Sequence, residues 1–165
     1  IRTTLHLGAH ADAPNHYHAQ GAGIGERPLE YYYGPCQVVS ADVARGARVV
    51  MADLNTEIHC SRVLIKTGNF PDSENWNDDF AACSVELIDD LHSQGCRLVG
   101  IDTPSVDPQQ DKELESHRAI ARHDMAILEG LVLSDVPDGQ YILCAFPLRL
   151  ENADASPVRA VLIKD

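Results

Sequence analysis

A chain of 165 residues has the length of one ordinary domain, and we predict a single domain over residues 1–165. Its 25 acidic and 13 basic residues give a formal net charge of −12, which disfavours binding to nucleic acid and to anionic membranes. No apolar run approaches the roughly 20 residues that cross a bilayer, so we predict a soluble protein without nucleic-acid or membrane partners.

The cysteines predict a reducing compartment. They are odd in number and show no CxxC spacing that would indicate a disulfide framework or a zinc knuckle: Cys36, Cys60, Cys83, Cys96 and Cys144. We therefore expect a cytoplasmic protein. The chain starts at Ile1 without a methionine and inside a predicted strand, and we expect an upstream segment to precede it.

In its first half the sequence indicates short strands separated by breakers. Residues 1–7 predict a strand that Gly8 and then Pro14 should end, and residues 21–25 predict a Gly-rich loop. The polar stretch 69–77 predicts another loop. Runs of β-branched residues predict three further strands, at residues 36–39, 49–52 and 62–66.

The second half alternates helix and strand. Apolar residues from Phe80 to Leu91 recur at steps of three and four, which predicts an amphipathic helix ending at Gly95. Helical propensity predicts a second helix over residues 112–122, after a loop at 103–110. Apolar, β-prone runs predict the remaining strands, at residues 97–102, 125–133, 140–150 and 158–163.

Three imidazoles and a carboxylate, all groups that bind metals, occupy even positions in the segment from His6 to His16. On one extended strand, His6 and His10 would lie roughly 13 Å apart, too far to share a cation. The backbone must therefore bend between them, and Gly8, which lacks a Cβ, is the residue that permits the bend. Four of the eight histidines lie in the first eighteen residues, so we interpret the cluster as functional.

A second group of ligands is expected in the later half of the chain. The carboxylate of Asp12 can bridge two cations about 3.5 to 4 Å apart, as in two-metal hydrolases. His117 and Glu129 are twelve residues apart, about 18 Å along an uninterrupted helix, so both serve one centre only if the helix breaks between them. The strand-like residues 125–129 favour such a break. Further candidates in this segment are His123 and Asp124.

An ordinary structural role remains the alternative for each histidine. It is the better interpretation for the histidines outside the first cluster that no motif explains: His18, His59, His92 and His123. His123 lies near a predicted helix C-terminus, where a cation offsets the helix dipole. For His117 and Glu129, the residues alone leave both interpretations open.

The pattern HxGxHxDxPxH, complete from His6 to His16, is similar to the signature of the cyclase-like family of metal-dependent hydrolases. The fit is nearest to the bacterial kynurenine formamidase (arylformamidase) branch of that family. Where the family commonly has threonine this chain has Ala9, but the formamidase branch tends to carry alanine there. Matching stretches cover nearly the whole chain: RVLIKT from Arg62, GIDTPSVDP from Gly100, Ser116-His117, ILE ending at Glu129, and NADASPVRAVL from Asn152.

The resemblance implies a centre of two divalent metal ions, zinc with manganese as the alternative. It implies two sets of ligands that share one carboxylate: His6, His10 and Asp12 for one ion, and Asp12, His117 and Glu129 for the other. By position, His16 would be the catalytic residue that accepts and donates a proton.

The same resemblance implies an α/β fold of swivelling β/β/α architecture, with a mixed sheet flanked by helices, in a homodimer. The implied reaction is hydrolysis of N-formyl-L-kynurenine to L-kynurenine and formate, in tryptophan degradation, by a metal-activated water that attacks the formyl carbon. The substrate is thus a small aromatic N-formyl amino acid. Phe70, Trp76 or the Tyr31–Tyr33 run could contact its ring, and the sequence does not choose among them. The resemblance further implies that an aromatic substrate contact of the family would lie upstream of Ile1, and no residue of this sequence matches it.

Two other functions fit the same motif. Another member of the family, such as an isatin hydrolase, would share the metal ligands and differ in substrate. A non-catalytic metal-binding protein would use the same ligands in a closed site that leaves no coordination position for water.

Overall fold

An eight-stranded mixed sheet forms the centre of the computed structural model, which describes residues 2–72 and 74–164. The strands are β1 (His10–Asp12), β2 (Tyr33–Ser40), β3 (Arg48–Val49), β4 (Arg62–Lys66), β5 (Ala82–Cys83), β6 (Leu98–Ile101), β7 (Ala126–Glu129), β8 (Gly139–Cys144), β9 (Ala155–Pro157) and β10 (Val161–Ile163). The α-helices are α1 (Pro14–Tyr17), α2 (Val85–Ser93) and α3 (Glu115–Arg122). Turns of 3₁₀ helix lie at Ile24–Glu26, Leu29–Tyr31 and Met51–Asp53.

The order of strands across the large sheet is β10-β8-β2-β4-β6-β7-β1-β9. The four central strands β2, β4, β6 and β7 run parallel, and the strands on either side pair antiparallel. β3 and β5 form a separate, two-stranded parallel sheet. The predicted α/β class with a mixed sheet is confirmed.

Alternate residues of the central strands enter two hydrophobic cores. In β4, Val63 and Ile65 belong to the first core and Leu64 to the second, as the two-residue period of a strand requires. α2 and α3 contribute Leu87, Ile88, Leu91 and Ile120 to the first core. Irregular segments and a 3₁₀ turn contribute Ile24, Leu131 and Leu133 to the second. The helices thus serve one core, while mainly loops cover the other.

The predicted amphipathic helix exists but begins later than predicted. The hydroxyl of Ser84 accepts a hydrogen bond from the backbone N–H of Leu87 at 3.0 Å, so this side chain caps the helix and fixes its start. The preceding residues pair with β3 instead, which makes the prediction of helix from Phe80 wrong. Its end before Gly95, whose φ is +86°, is confirmed. None of the helices in residues 2–72 and 74–164 has the length and the apolar character of a membrane-spanning segment.

The strand predictions fail at the two ends of the chain. The prediction of a strand over residues 1–7 is wrong, because residues 5–9 bend and pairing begins only at His10; Ile1 lies outside the described residues. β9 was not predicted, and the last strand starts at Val161 rather than at Val158. The predicted strand at 49–52 is a two-residue strand followed by a 3₁₀ turn. These strands are short, so periodicity within them carries little information.

Candidate metal centre

The backbone bends at Gly8, as the spacing of the first two histidines predicted. Gly8 has a φ of +60°, a conformation that favours glycine. The bend brings the rings of His6 and His10 to a centroid distance of 5.0 Å. It also points the Gly8 carbonyl at His10, whose Nδ1–H donates to that oxygen at 2.8 Å. The other ring nitrogen of His10 is therefore left to face the centre.

Pairing of β1 with β7 brings the two halves of the chain together. His10 lies directly opposite Glu129 in this antiparallel pair, and its Nε2 is 3.2 Å from Glu129 Oε2. Two residues along β1, the Asp12 side chain emerges on the same face, with its Oδ1 at 3.4 Å from His10 Nε2. One strand register thus sets three of the predicted ligands side by side.

The predicted break between His117 and Glu129 is present. α3 ends at Arg122, and the chain turns through Asp124, which has a φ of +49°, before β7 begins. His117 Nε2 then lies 3.2 Å from Asp12 Oδ2 and 3.5 Å from Glu129 Oε1. The helix and the strand that follows it therefore both direct a side chain to the same point.

Asp12 is the centre of this cluster. Its Oδ1 is 3.1 Å from His6 Nδ1 and 3.4 Å from His10 Nε2, while its Oδ2 faces His117. A carboxylate with each oxygen directed at a different group of ligands has the geometry of a bridging ligand. Ligand atoms within 4.8 Å of one another form two sets that both contain Asp12: His6, Asp12 and His16, and His10, Asp12 and Glu129.

Three buried atoms of the cluster lie close to other charged atoms yet make no contact with hydrogen-bond geometry among the described residues: His6 Nε2, His10 Nε2 and Asp12 Oδ1. An unpartnered buried polar atom is costly, and native proteins retain few of them. A divalent cation among these atoms would use their lone pairs. Imidazole and carboxylate donors suit zinc, manganese and iron, so the residues present fit a divalent metal.

Charge within the cluster shifts the pKa of its members. Burial alone would lower the pKa of His10, but the carboxylates of Asp12 and Glu129 outweigh it and raise the pKa to about 10. Burial alone would raise the pKa of Asp12, yet contacts with three imidazoles hold it well below its usual range. The carboxylate therefore stays ionised. Because protons and metal ions compete for the same lone pairs, metal binding here would release protons.

Asp107, which was not among the predicted site residues, holds His117 in place. Asp107 Oδ2 lies 2.8 Å from His117 Nδ1, and its oxygens also accept hydrogen bonds from the backbone N–H groups of Ser116 and His117. Arg48 donates to the same carboxylate at 2.9 Å. A carboxylate behind a metal-binding histidine is a common orienting arrangement. The GIDTPSVDP stretch that contains Asp107 was the available signal.

His16 lies at the rim of the cluster rather than inside it. Pro14 starts the single turn of α1, and this turn places the His16 ring 4.3 Å from that of His6 and 5.8 Å from that of His117. Its side chain is 31% exposed, and its Nδ1 is 3.5 Å from Asp154 Oδ2. Asp154 was also missed by the sequence reasoning. A partly exposed imidazole beside the cluster can exchange protons with solvent.

The other four histidines lie outside the cluster. His18 and His59 are on the exposed surface, and His92 stacks on His123 with a centroid distance of 4.0 Å. His123 is the residue that ends α3, and its Nε2 pairs with Asp89 at 2.7 Å. These positions agree with the structural roles predicted for them.

A cavity of about 580 Å³ reaches the cluster at His6 and His10. Phe70 and Trp76 line it, whereas Tyr31 lines a different cavity of about 350 Å³. The volume is typical of a site for a small organic molecule. Of the aromatic groups considered from the sequence, Phe70 and Trp76 are therefore the ones beside the predicted ligands.

The glycine after β7 supports the bend at Gly8. Gly130 has a φ of +63°, and a Cβ on it would lie 2.4 Å from the Gly8 carbonyl oxygen. We expect Gly130→Ala to lower the free energy of unfolding by about 1 to 3 kcal/mol more than the same substitution at another glycine of positive φ. The reason is that the Cβ at residue 130 would clash with the backbone. Gly68→Ala is the matched control, with a φ of +65° and no atom within 4 Å of its Cβ. Equal losses for the two variants in urea unfolding would contradict the proposed support.

Comparison with known proteins gives concordant results. Residues 1–108 match the profile of the family described as "Putative cyclase". The kynurenine formamidase of Maricaulis maris (strain MCS10) is 49% identical over 165 residues, which cover 98% of this chain and 78% of that protein.

Solved structures resemble the whole fold. A structure described as a potential metal-dependent hydrolase with cyclase activity has a TM-score of 0.88 and 30% identity, covering 98% of this chain and 80% of the other. An isatin hydrolase bound to the product analogue thioisatinate has a TM-score of 0.81, covering 99% and 74% of the two chains. Because its identity is 21%, the isatin hydrolase structure supports a shared fold and nothing more.

Proposed function

Because this chain belongs to the cyclase family of metal-dependent hydrolases, we propose that it is a kynurenine formamidase, hydrolysing N-formyl-L-kynurenine to L-kynurenine and formate. One observation carries the proposal: a buried cluster, three of whose ligand atoms have no hydrogen-bond partner among the described residues, opens into a cavity of organic-molecule size. An opening at the ligands is what a catalytic site needs and a closed structural site lacks.

The proposed centre holds two divalent ions, zinc or manganese. We assign His6, His10 and Asp12 to one ion, and Asp12, His117 and Glu129 to the other. The distances from Asp12 to three imidazoles support a bridging role for this carboxylate. Bound there, divalent ions supply Lewis acidity and lower the pKa of water towards neutrality.

His16 is the proposed proton-transfer residue. In the reaction, water adds to the formyl carbon, the C–N bond breaks and the arylamine nitrogen takes up a proton. An arylamine anion is a poor leaving group, so a donor at this nitrogen lowers the barrier. With Nδ1 of His16 facing Asp154, its Nε2 is the atom we assign to give and take the proton.

The decisive test is hydrolysis by protein of defined metal content. We expect chelator-treated protein to lose at least about 99% of its activity towards N-formyl-L-kynurenine, and Zn²⁺ or Mn²⁺ to restore it, because the ligands alone do not activate water. Formation of kynurenine is followed by absorbance and metal content by elemental analysis. The same preparations are assayed with isatin.

The alternatives predict different results in that assay. Faster turnover of isatin than of N-formyl-L-kynurenine would favour the isatin hydrolase alternative. Two bound ions with no hydrolysis of any formanilide would favour a metal-binding protein without catalysis. The homodimer and the cytoplasmic location remain predictions. Size-exclusion chromatography with light scattering tests the homodimer.

A further inference from the structure

The cavity beside the cluster lies at the carboxyl ends of the parallel strands. Lys66 is the last residue of β4, Asp102 follows β6, and Gly130 follows β7, and all three line the cavity. Ligands of open α/β sheets bind outside these strand ends. The position therefore indicates a substrate pocket, with the His6 and His10 side chains on one part of its wall.

Part of this wall is aromatic. Phe70 and Trp76 meet edge to face at a centroid distance of 5.6 Å, and Trp76 in turn contacts Phe80. Trp76 remains 60% exposed, a large apolar surface for a side chain on a cavity wall. A planar aromatic ligand would cover that surface and gain the stacking energy of aromatic pairs.

Lys66 and Asp102, which both line the cavity, differ in what their charges can offer a ligand. Asp102 is engaged within the protein, because its oxygens accept hydrogen bonds from Thr67 N, Thr67 Oγ1 and Gly68 N at 2.7 to 3.0 Å. Lys66 uses its ammonium group less fully. Its Nζ donates to the Val136 carbonyl at 2.8 Å and pairs with Asp138 at 3.2 Å, which leaves one of its three donors.

Lys66 is also unusual for its charge. Among the described residues it is the one Lys or Arg that lines this cavity, in a chain with a formal net charge of −12. Its side chain is 21% exposed, so it is held in position yet accessible. Among the described residues that line the cavity, Lys66 and the imidazoles of the cluster are thus the groups that can offer a positive charge to an anionic group on a ligand.

We propose that Lys66 is a specificity-determining residue that binds the α-carboxylate of an N-formylated aromatic amino acid, whose ring lies against Phe70 and Trp76. This inference rests on the proposed formamidase function and adds the selection of substrates that carry an α-amino-acid group. The selected class is zwitterionic formanilides over neutral ones. The Lys66 contact acts on binding, so its effect falls on KM.

The test compares two substrates that differ in the amino-acid group, which carries the carboxylate that Lys66 would bind. N-formyl-L-kynurenine carries this group, with its α-ammonium and α-carboxylate, and N-(2-acetylphenyl)formamide has the same ring and ketone without it. For Lys66→Gln we expect the ratio of kcat/KM between the two substrates to fall roughly ten- to a hundredfold, mainly through KM, because a charge-assisted hydrogen bond is lost. Lys112→Gln, at an exposed position outside the cavity, is the matched control and should keep the wild-type ratio.

Each outcome of this comparison decides the inference. A fall in the ratio of kcat/KM for Lys66→Gln, but not for Lys112→Gln, supports the inference. An unchanged ratio, whether or not kcat/KM falls equally for both substrates, overturns the inference while the formamidase function stands. Wild-type protein that hydrolyses neither substrate overturns both proposals. If Lys66→Gln does not fold, Lys66→Met, which keeps the apolar stem of the side chain, is measured in its place with the same expectation.

Discussion

Replacing Asp12 by asparagine should leave the protein with at most one bound ion and lower kcat/KM for N-formyl-L-kynurenine by at least about a hundredfold. Asp12 is 1% exposed, and both its oxygens face imidazoles of the cluster. An amide keeps one oxygen and replaces the other with an N–H donor, which cannot bind a cation. Loss of groups that merely orient metal ligands costs about 10- to 100-fold, so loss of the bridging ligand should cost at least that much.

Metal content is the measurement that makes the Asp12→Asn result specific. Elemental analysis after removal of free ions should give two ions per wild-type chain and fewer for the variant, at equal secondary structure by circular dichroism. Asp78→Asn is the control, because Asp78 is exposed and outside the cluster. An Asp12→Asn protein that keeps two ions and wild-type activity would exclude a bridging role for this carboxylate.

His16→Ala should reduce kcat by about 10²- to 10⁴-fold while the metal content stays normal. The His16 ring is at the rim of the cluster and partly exposed, so its removal should leave the buried ligands in place. The loss should shrink for formanilides that carry electron-withdrawing substituents, since their anilide leaving groups need less help from a proton donor. Rates for a series of substituted formanilides check this dependence.

The geometry also allows a different result, which makes the His16 experiment informative. A ring nitrogen of His16 lies within 4.8 Å of ligand atoms of His6 and Asp12, close enough for His16 to be a metal ligand itself. In that case His16→Ala would lose metal, and the loss of activity would not depend on the leaving group. His18→Ala, two residues along and exposed, serves as the control for changes in α1 and the loop after it.

The part of the centre that the sequence could predict is the part fixed by local chemistry. The bend between His6 and His10 follows from the length of an extended strand and the freedom of Gly8. The break between His117 and Glu129 follows from the length of a helix. In each case a known rise per residue made a continuous element incompatible with a shared cation, so the interruption could be inferred without coordinates.

What escaped prediction depends on partners distant in sequence. β1 is a strand only because β7 and β9 pair with it on both sides, and its three residues are too few for an alternating pattern to be recognised. Asp107 looked like one more loop residue, since nothing local indicates that its carboxylate meets His117, ten positions away. The start of α2 was predicted too early because the spacing of apolar residues before Ser84 is also compatible with a helix. The Ser84 cap fixes the actual start.

The placement of β1 between β7 and β9 determines how late in synthesis the cluster can form. His6, His10 and Asp12 leave the ribosome early, yet His10 acquires its neighbours only after residues as far as Pro157 have been added. Loop closure over such a separation is slow and entropically costly compared with formation of a hairpin or a helix. A nascent polypeptide should therefore carry exposed imidazoles for most of its synthesis and assemble the proposed metal site among its last events.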